Sequence, residues 1–244
     1  MGERQIGKGK CGKDQCWGNT TPINMNHEKT LQQYMITMTR EEIDGKIKEL
    51  KRGFRLMMNG EASRSMREKG LDYHLNWGVP FMQLKQMAAD LPRDYDFAIA
   101  LWKEDIRECK ILATLVMPHD KMPEEVAEIW MDQTRSQEMA EMQAFNLYQY
   151  VSYAPKIAYR WMALDNTVKE ICAYDILGRL FMKGMEPNER GINEFVDQAV
   201  TALKSPSAGL RHAAMNALTR FADLGLVFER LTNAALKREG FDLL

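Results

Sequence analysis

The sequence predicts an all-α fold in which helices pack in pairs and the pairs stack into a solenoid. Three observations lead there. Apolar residues recur at three- and four-residue spacing in nearly every segment after Asn26. Alternating strand-like runs, and Asn-Gly signals set between apolar segments as in hairpins, are missing. Turn-forming residues interrupt the pattern at fairly even intervals.

Thr39 with Glu42 three residues later is a capping-box signature, so a helix starts there. Ile43, Ile47, Leu50, Phe54 and Met57 mark its apolar face, and Asn59-Gly60 stops it. The segment GLDYHLNWGVP (residues 70–80), with two glycines and a proline, separates a short helix from one carrying Phe81, Leu84, Met87 and Ala88. Further breaks fall at Leu91-Pro92, Pro118-His119, Met122-Pro123, Ala154-Pro155, Asp165-Asn166, residues 184–187 and Ser205-Pro206. They leave helices of roughly 10 to 18 residues in about six pairs recurring every 35 to 45 residues or so, the HEAT-like range, which predicts a right-handed α-α superhelix. Each pair leaves an apolar face that only its neighbour covers, and the stack curves around one concave surface. Residues 27–244 are expected to form a single domain, because no internal linker rich in Pro, Gly or Ser interrupts them. Residues 1–26, with repeated glycine and lysine and little to bury, are expected to be a flexible basic tail.

The chain has 244 residues, 45% hydrophobic and 27% charged, a balance typical of globular proteins. No stretch approaches the roughly 20 apolar residues needed to span a bilayer, and the N-terminus lacks the apolar core of a secretory signal. A cytoplasmic location and no membrane partner follow as expectations. Four cysteines, two of them (Cys109 and Cys172) inside helical patterns, do not make a disulfide scaffold. Four histidines without an i, i+4 pair give no metal site, and no cofactor is expected. The formal net charge is −1, so any attraction for a polyanion must come from a local basic face. Eighteen methionines, ten of them (Met57, Met58, Met82, Met87, Met131, Met139, Met142, Met162, Met182 and Met185) at helical spacing, are expected to fill the core.

Three stretches carry a family resemblance. MMNGEASRSMREKGLDYHLNWGVPFMQLKQMA (residues 57–88) leads a short helix through the turn Asn76-Trp77-Gly78-Val79. ALWKEDIRECKILATLVM (residues 100–117) places Leu101-Trp102 ahead of Glu108 and Ala113 on a helix pair. The helices from Glu124 onward follow in order and length. Together these make residues 45–240 resemble the AlkD-like DNA alkylation repair glycosylases, a family of HEAT-like helical repeats. The resemblance implies a concave DNA-binding surface and cleavage of N-glycosidic bonds to cationic N3- or N7-alkylated purines.

Loss of such a base leaves positive charge on the deoxyribose. A fixed carboxylate stabilises that charge, and tryptophan faces contact the cationic nucleotide. The family carries a tryptophan and, one helical turn on, an aspartate; here those positions are Gln137 and Glu141. Glu141 keeps the charge but moves it by about 1 Å, which weakens catalysis, and Gln137 has no π face. The family's arginine pair becomes Lys169-Glu170, and its later tryptophan and arginine become Asn216 and Thr219, with Arg220 adjacent. Trp130 and Trp161 are alternative aromatic walls, but their spacing with Val126, Ile129 and Ala158 reads as core.

Arg135, Lys169, Arg179, Arg211 and Arg220 are the cations placed to follow a phosphate backbone, with Lys204 and His212 nearby. The first expectation is therefore a monomeric DNA-binding protein of this family, acting on duplex DNA that is alkylated or distorted, with the usual excision weakened. The alternatives are an active glycosylase using Glu141 and a HEAT-like scaffold for a protein partner.

Overall fold

The structure is a computed structural model, and residues 38–241 are the ones it describes. The expected tail, with Cys11 and Cys16, lies outside them. Twelve α-helices and two short 3-10 turns are present among these residues, with no sheet. Helix α1 (Arg40–Leu56) opens with the expected box: Thr39 and Glu42 exchange side-chain and backbone hydrogen bonds, and Ile43, Ile47, Leu50 and Phe54 are buried. Asn59 does more than end α1. Its side chain caps α2 (Gly60–Glu68) by accepting from the Ala62 nitrogen.

Between α2 and α3 (Phe81–Ala89) the turn at residues 76–79 is tightly held. The Asn59 nitrogen donates to the Trp77 carbonyl at 2.8 Å. Ser63 Oγ donates to the Asn76 carbonyl at 2.7 Å, and the Gly78 nitrogen donates to Asn76 Oδ1 at 2.8 Å. Gly78 sits at φ +71°, and a Cβ there would collide with the Asn59 carbonyl oxygen and the Ser63 nitrogen, both backbone atoms. Left-handed strain and overpacking then add. Gly78→Ala is expected to cost roughly 2 to 3 kcal/mol in urea unfolding. A change below about 0.5 kcal/mol, the size seen for ordinary surface sites, would show that the turn is not held this way.

The remaining helices alternate between two rows. One row holds α4 (Tyr95–Lys103), α6 (Glu124–Asp132), α8 (Ala154–Met162), α10 (Glu189–Ala202) and α12 (Leu226–Arg238); the other holds α5 (Arg107–Val116), α7 (Gln137–Asn146), α9 (Thr167–Met182) and α11 (Ala208–Ala222). Helices α5, α7, α9 and α11 pack side by side in chain order, and α4, α8 and α10 pack against α5, α9 and α11 from the outer side. Outer-row helices begin at residues 95, 124, 154, 189 and 226, so only the last two steps fall within the expected repeat; the first two are shorter. Two breaks that carry no proline or glycine were not marked in the sequence. Residues 104–106 separate α4 from α5, and residues 133–136 separate α6 from α7, where Ser136 caps α7 by accepting from the Met139 nitrogen.

A continuous apolar cluster runs from Ile43 to Leu236. Aromatic pairs join the repeats. Trp102 of α4 stacks on Trp130 of α6 at 4.2 Å with planes 5° apart. Phe181, Phe195, Phe221 and Phe228 interlock α9, α10, α11 and α12 at 5.0 to 5.3 Å. Trp130 and Trp161 are core residues, as their spacing indicated: both are buried, and the Trp161 indole donates to Glu128. The methionine expectation needs correction. Met131, Met139 and Met162 are buried, but Met58, in the break between α1 and α2, and Met82 and Met182, on solvent-facing sides of α3 and α9, are exposed. Among the described residues no helix is long and apolar enough to cross a membrane.

Candidate nucleic-acid interface

The face of α7, α9 and α11 turned away from the outer row carries the positions singled out in the sequence. Gln137, first residue of α7, and Glu141 one turn later lie on one side of that helix, and Gln137 Nε2 donates to Glu141 Oε1 at 2.7 Å. Gln137 also reaches α11: its carboxamide rests where a Cβ on Gly209, near the start of that helix, would stand. A single side chain thus joins α7 to α11. A polar bridge stands here, at the positions where the resemblance implied a tryptophan and a carboxylate.

Under this part of the face lies a residue the sequence reasoning missed. Asp175 of α9 is 6% exposed, and its Oδ2 atom has no hydrogen-bond partner. Burial, reinforced by the charge of Glu141, pushes its carboxyl up to about 7, and Arg179 one turn on pulls the other way. At neutral pH it is divided between acid and carboxylate beside a second acidic side chain. In sequence it sits inside a run buried from Ile171 to Gly178 and is easily passed over as part of an apolar helix.

The cations separate into two groups, at the N-terminal and C-terminal ends of the inner helices. Arg135 precedes α7, Lys169 lies in the first turn of α9, and Arg211 in the first turn of α11. Arg135 is exposed and makes no hydrogen bond or ion pair among the described residues. Arg211 donates to the carbonyls of Ser205 and Pro206 at 2.7 and 2.9 Å, leaving its charge unneutralised. Lys169 is different: it pairs with Asp132 at 2.6 Å and lies 3.9 Å from Glu128, so its charge is largely spent on α6. Its neighbour Glu170 is raised by burial and by the charge of Asp165.

At the other end, Arg179 lies over the Phe145 ring at 4.5 Å. Lys183, another residue not singled out in the sequence, lies over Tyr150 at 4.3 Å and donates to the Gln149 carbonyl. Burial and then the charge of Arg179 lower its pKa. Arg220 of α11 reaches Asp223 at 3.3 Å, while its Nε is buried without a partner. Asn216 and Thr219 are exposed on the same helix, and Thr219 donates back to the Met215 carbonyl. Along α9 the step from Lys169 to Arg179 is about 15 Å at 1.5 Å per residue.

Glu108, one of the residues carrying the resemblance, is fully buried away from this face. It accepts from the Trp77 and Val79 nitrogens at 3.3 and 3.2 Å and so holds the turn before α3. Its neighbour Arg107 makes a forked pair with Glu138 of α7, at 2.6 Å to Oε1 and 2.9 Å to Oε2, and donates to the Val79 carbonyl. Both are elements of the fold and do not approach the candidate interface.

No family model matches the chain, and no curated protein matches it. One solved structure does, with a TM-score of 0.66 and 14% identity over 78% of this chain and 80% of that one. It is described as "A new family of proteins related to the HEAT-like repeat DNA glycosylases with affinity for branched DNA structures". At this identity the likeness is one of fold, and it makes the stacked helix pairs of this chain similar to a HEAT-like repeat solenoid.

Proposed function

We propose that the protein binds DNA across the inner row of helices, with preference for branched or distorted DNA over linear duplex, and without efficient excision of alkylated bases. The observation that carries this is the placement of unneutralised cations at both ends of adjacent inner helices, Arg135 and Arg211 at one and Arg179 with Lys183 at the other. The stretch of α9 from Lys169 to Arg179, about 15 Å long, is comparable to the about 12 Å width of a B-DNA major groove, so the two helix ends suit separate phosphate strands. Phosphate contacts of this kind position DNA without reading its sequence. The affinity reported in the description of the solved structure similar in fold supports branched DNA as the form to test first.

Weak excision follows from the centre of the face. Glu141 is held by Gln137, and among the described residues no tryptophan joins it there, since Trp130 and Trp161 are in the core. The centre is also acidic, through Glu141 and Asp175, which keeps the phosphate contacts on the two ends.

The test is fluorescence anisotropy with a four-way junction and a linear duplex across a salt series. The junction binds more tightly, and log K falls linearly with log salt. Arg135→Ala, Arg179→Ala and Arg211→Ala each lower affinity several-fold and reduce the salt slope by about 1. Undetectable binding of either DNA at low salt would remove the proposal. Release of methylated purine at the rate of an active glycosylase would restore the enzymatic alternative.

A further inference from the structure

Two short 3-10 turns pack against each other at the C-terminal ends of the inner helices: His119–Lys121 follows α5, and Tyr148–Tyr150 follows α7. Helix α9 also packs on the second turn, where Lys183, just past the end of that helix, donates to the Gln149 carbonyl at 3.0 Å. The Tyr150 nitrogen donates to the Leu147 carbonyl, also at 3.0 Å, so the backbone that carries this tyrosine is fixed.

The ring so placed is not part of the core. Tyr150 is 50% exposed, and among the described residues it is the only phenylalanine, tyrosine or tryptophan on the surface. Lys183 Nζ stands 4.3 Å from the ring centre, and the exposed His119 ring lies 5.8 Å away, tilted by 34°. One turn back along α9, Arg179 covers Phe145 at 4.5 Å. Aromatic rings and cations therefore alternate along this edge of the stack.

The cations keep most of their charge for a ligand. Neither Arg179 nor Lys183 joins an ion pair among the described residues. Burial and then Arg179 lower the pKa of Lys183, with no carboxylate acting against them. Arg179 is offset in part by Asp175, further back on α9. Asp120, next to His119, is exposed and pairs with neither cation. Lys183 spends one N–H on Gln149, which leaves two of its three for an acceptor.

An open aromatic ring beside unpaired cations matches the two halves of a nucleotide, because a base stacks on the ring while its phosphate meets the charge. Within a duplex both faces of every base are covered by its neighbours. Only a strand end, a single strand or a branch point offers a face to a protein ring.

We propose that Tyr150, flanked by His119, is a stacking platform for one unpaired nucleobase of a DNA strand, and that Lys183 and Arg179 take the adjoining phosphate. This rests on the DNA-binding reading above and gives it a source of preference, since the cations alone serve any duplex.

Anisotropy with a forked duplex carrying single-stranded arms, a linear duplex and a single-stranded oligonucleotide tests the assignment, together with the emission of 2-aminopurine at the first unpaired position of the fork. Tyr150→Ser, at an exposed position, lowers affinity for the fork and the single strand about tenfold and leaves the linear duplex unchanged. Its salt slope stays that of the wild type, whereas Lys183→Gln reduces the slope by about 1. Binding quenches 2-aminopurine in the wild type and in Tyr150→Phe, but not in Tyr150→Ser. Wild-type affinity of Tyr150→Ser for the fork, or an equal loss on fork and linear duplex, overturns the platform and leaves the DNA reading standing. Single-strand binding that depends on Tyr150, with no binding of fork or duplex, keeps the platform and removes that reading; no binding of any of the three DNAs at low salt removes both.

Discussion

Arg107→Ala is expected to lower the stability of the protein by about 3 to 5 kcal/mol, the range for removing one partner of a buried ion pair. The guanidinium is 3% exposed and Glu108 beside it is fully buried. Arg107 binds Glu138 with a fork, donates to the Val79 carbonyl and lies 3.4 Å from Glu108 Oε1. Burial opposes its charge, yet the Glu138 hydrogen bonds and the charges of Glu138 and Glu108 outweigh that and hold its pKa above the ordinary value. Removing it leaves two acidic side chains facing one another with no cation, at the point where α5, α7 and the 76–79 turn meet. Chemical denaturation at pH 7 measures the loss. Adding Glu138→Gln to Arg107→Ala recovers part of it, because one of the stranded charges is gone. A loss under about 1 kcal/mol, typical of exposed pairs, would mean that the triad contributes no more than a surface ion pair.

Asp175→Asn is expected to abolish a pH dependence of stability that spans pH 4 to 7. The folded-state pKa of Asp175 is raised from 3.8 to about 7, so between those values the native state binds a proton that the unfolded chain has released. Stability contributed by that proton is complete below about pH 4 and is lost as pH rises towards 7. A shift of about three units is worth up to roughly 4 kcal/mol at about 1.4 kcal/mol per unit. Other carboxylates act in the opposite direction: Glu124, held low by Arg160 and Lys156 against the effect of burial, loses its contribution as pH falls. The difference between wild type and Asp175→Asn isolates the single group. The variant gains on wild type as pH rises from 4 to 7 and holds that gain above 7. Parallel curves for the two proteins would show that Asp175 is ionised throughout.

The frame was legible because its signals are local. A capping box, asparagine or serine caps and prolines before helices act within four residues, and each predicted boundary at Thr39, Asn166 and Ser205-Pro206 has its counterpart in the structure. Breaks before α5 and α7 were less visible because charged and polar residues make those turns without proline or glycine. The site was harder to read for a different reason. Gln137 and Glu141 are one turn apart and were found together, but the contact of Gln137 with Gly209 joins residues far apart in the chain and leaves no periodic trace. Asp175 is one acidic residue in an apolar stretch, and its properties come from what α7 places over it. Likewise Lys169 could be counted as a free cation only until Asp132 of α6 was seen beside it.

The side chain of Gln137 that reaches Gly209 bears on how the stack comes apart. In an ideal solenoid each repeat feels only its immediate neighbours, and unfolding can spread from an end one unit at a time. Here the first helix of the trio touches the third, so fraying of α11 also strips a contact from α7. The C-terminal half of the stack is thereby made to open as one cooperative block rather than repeat by repeat.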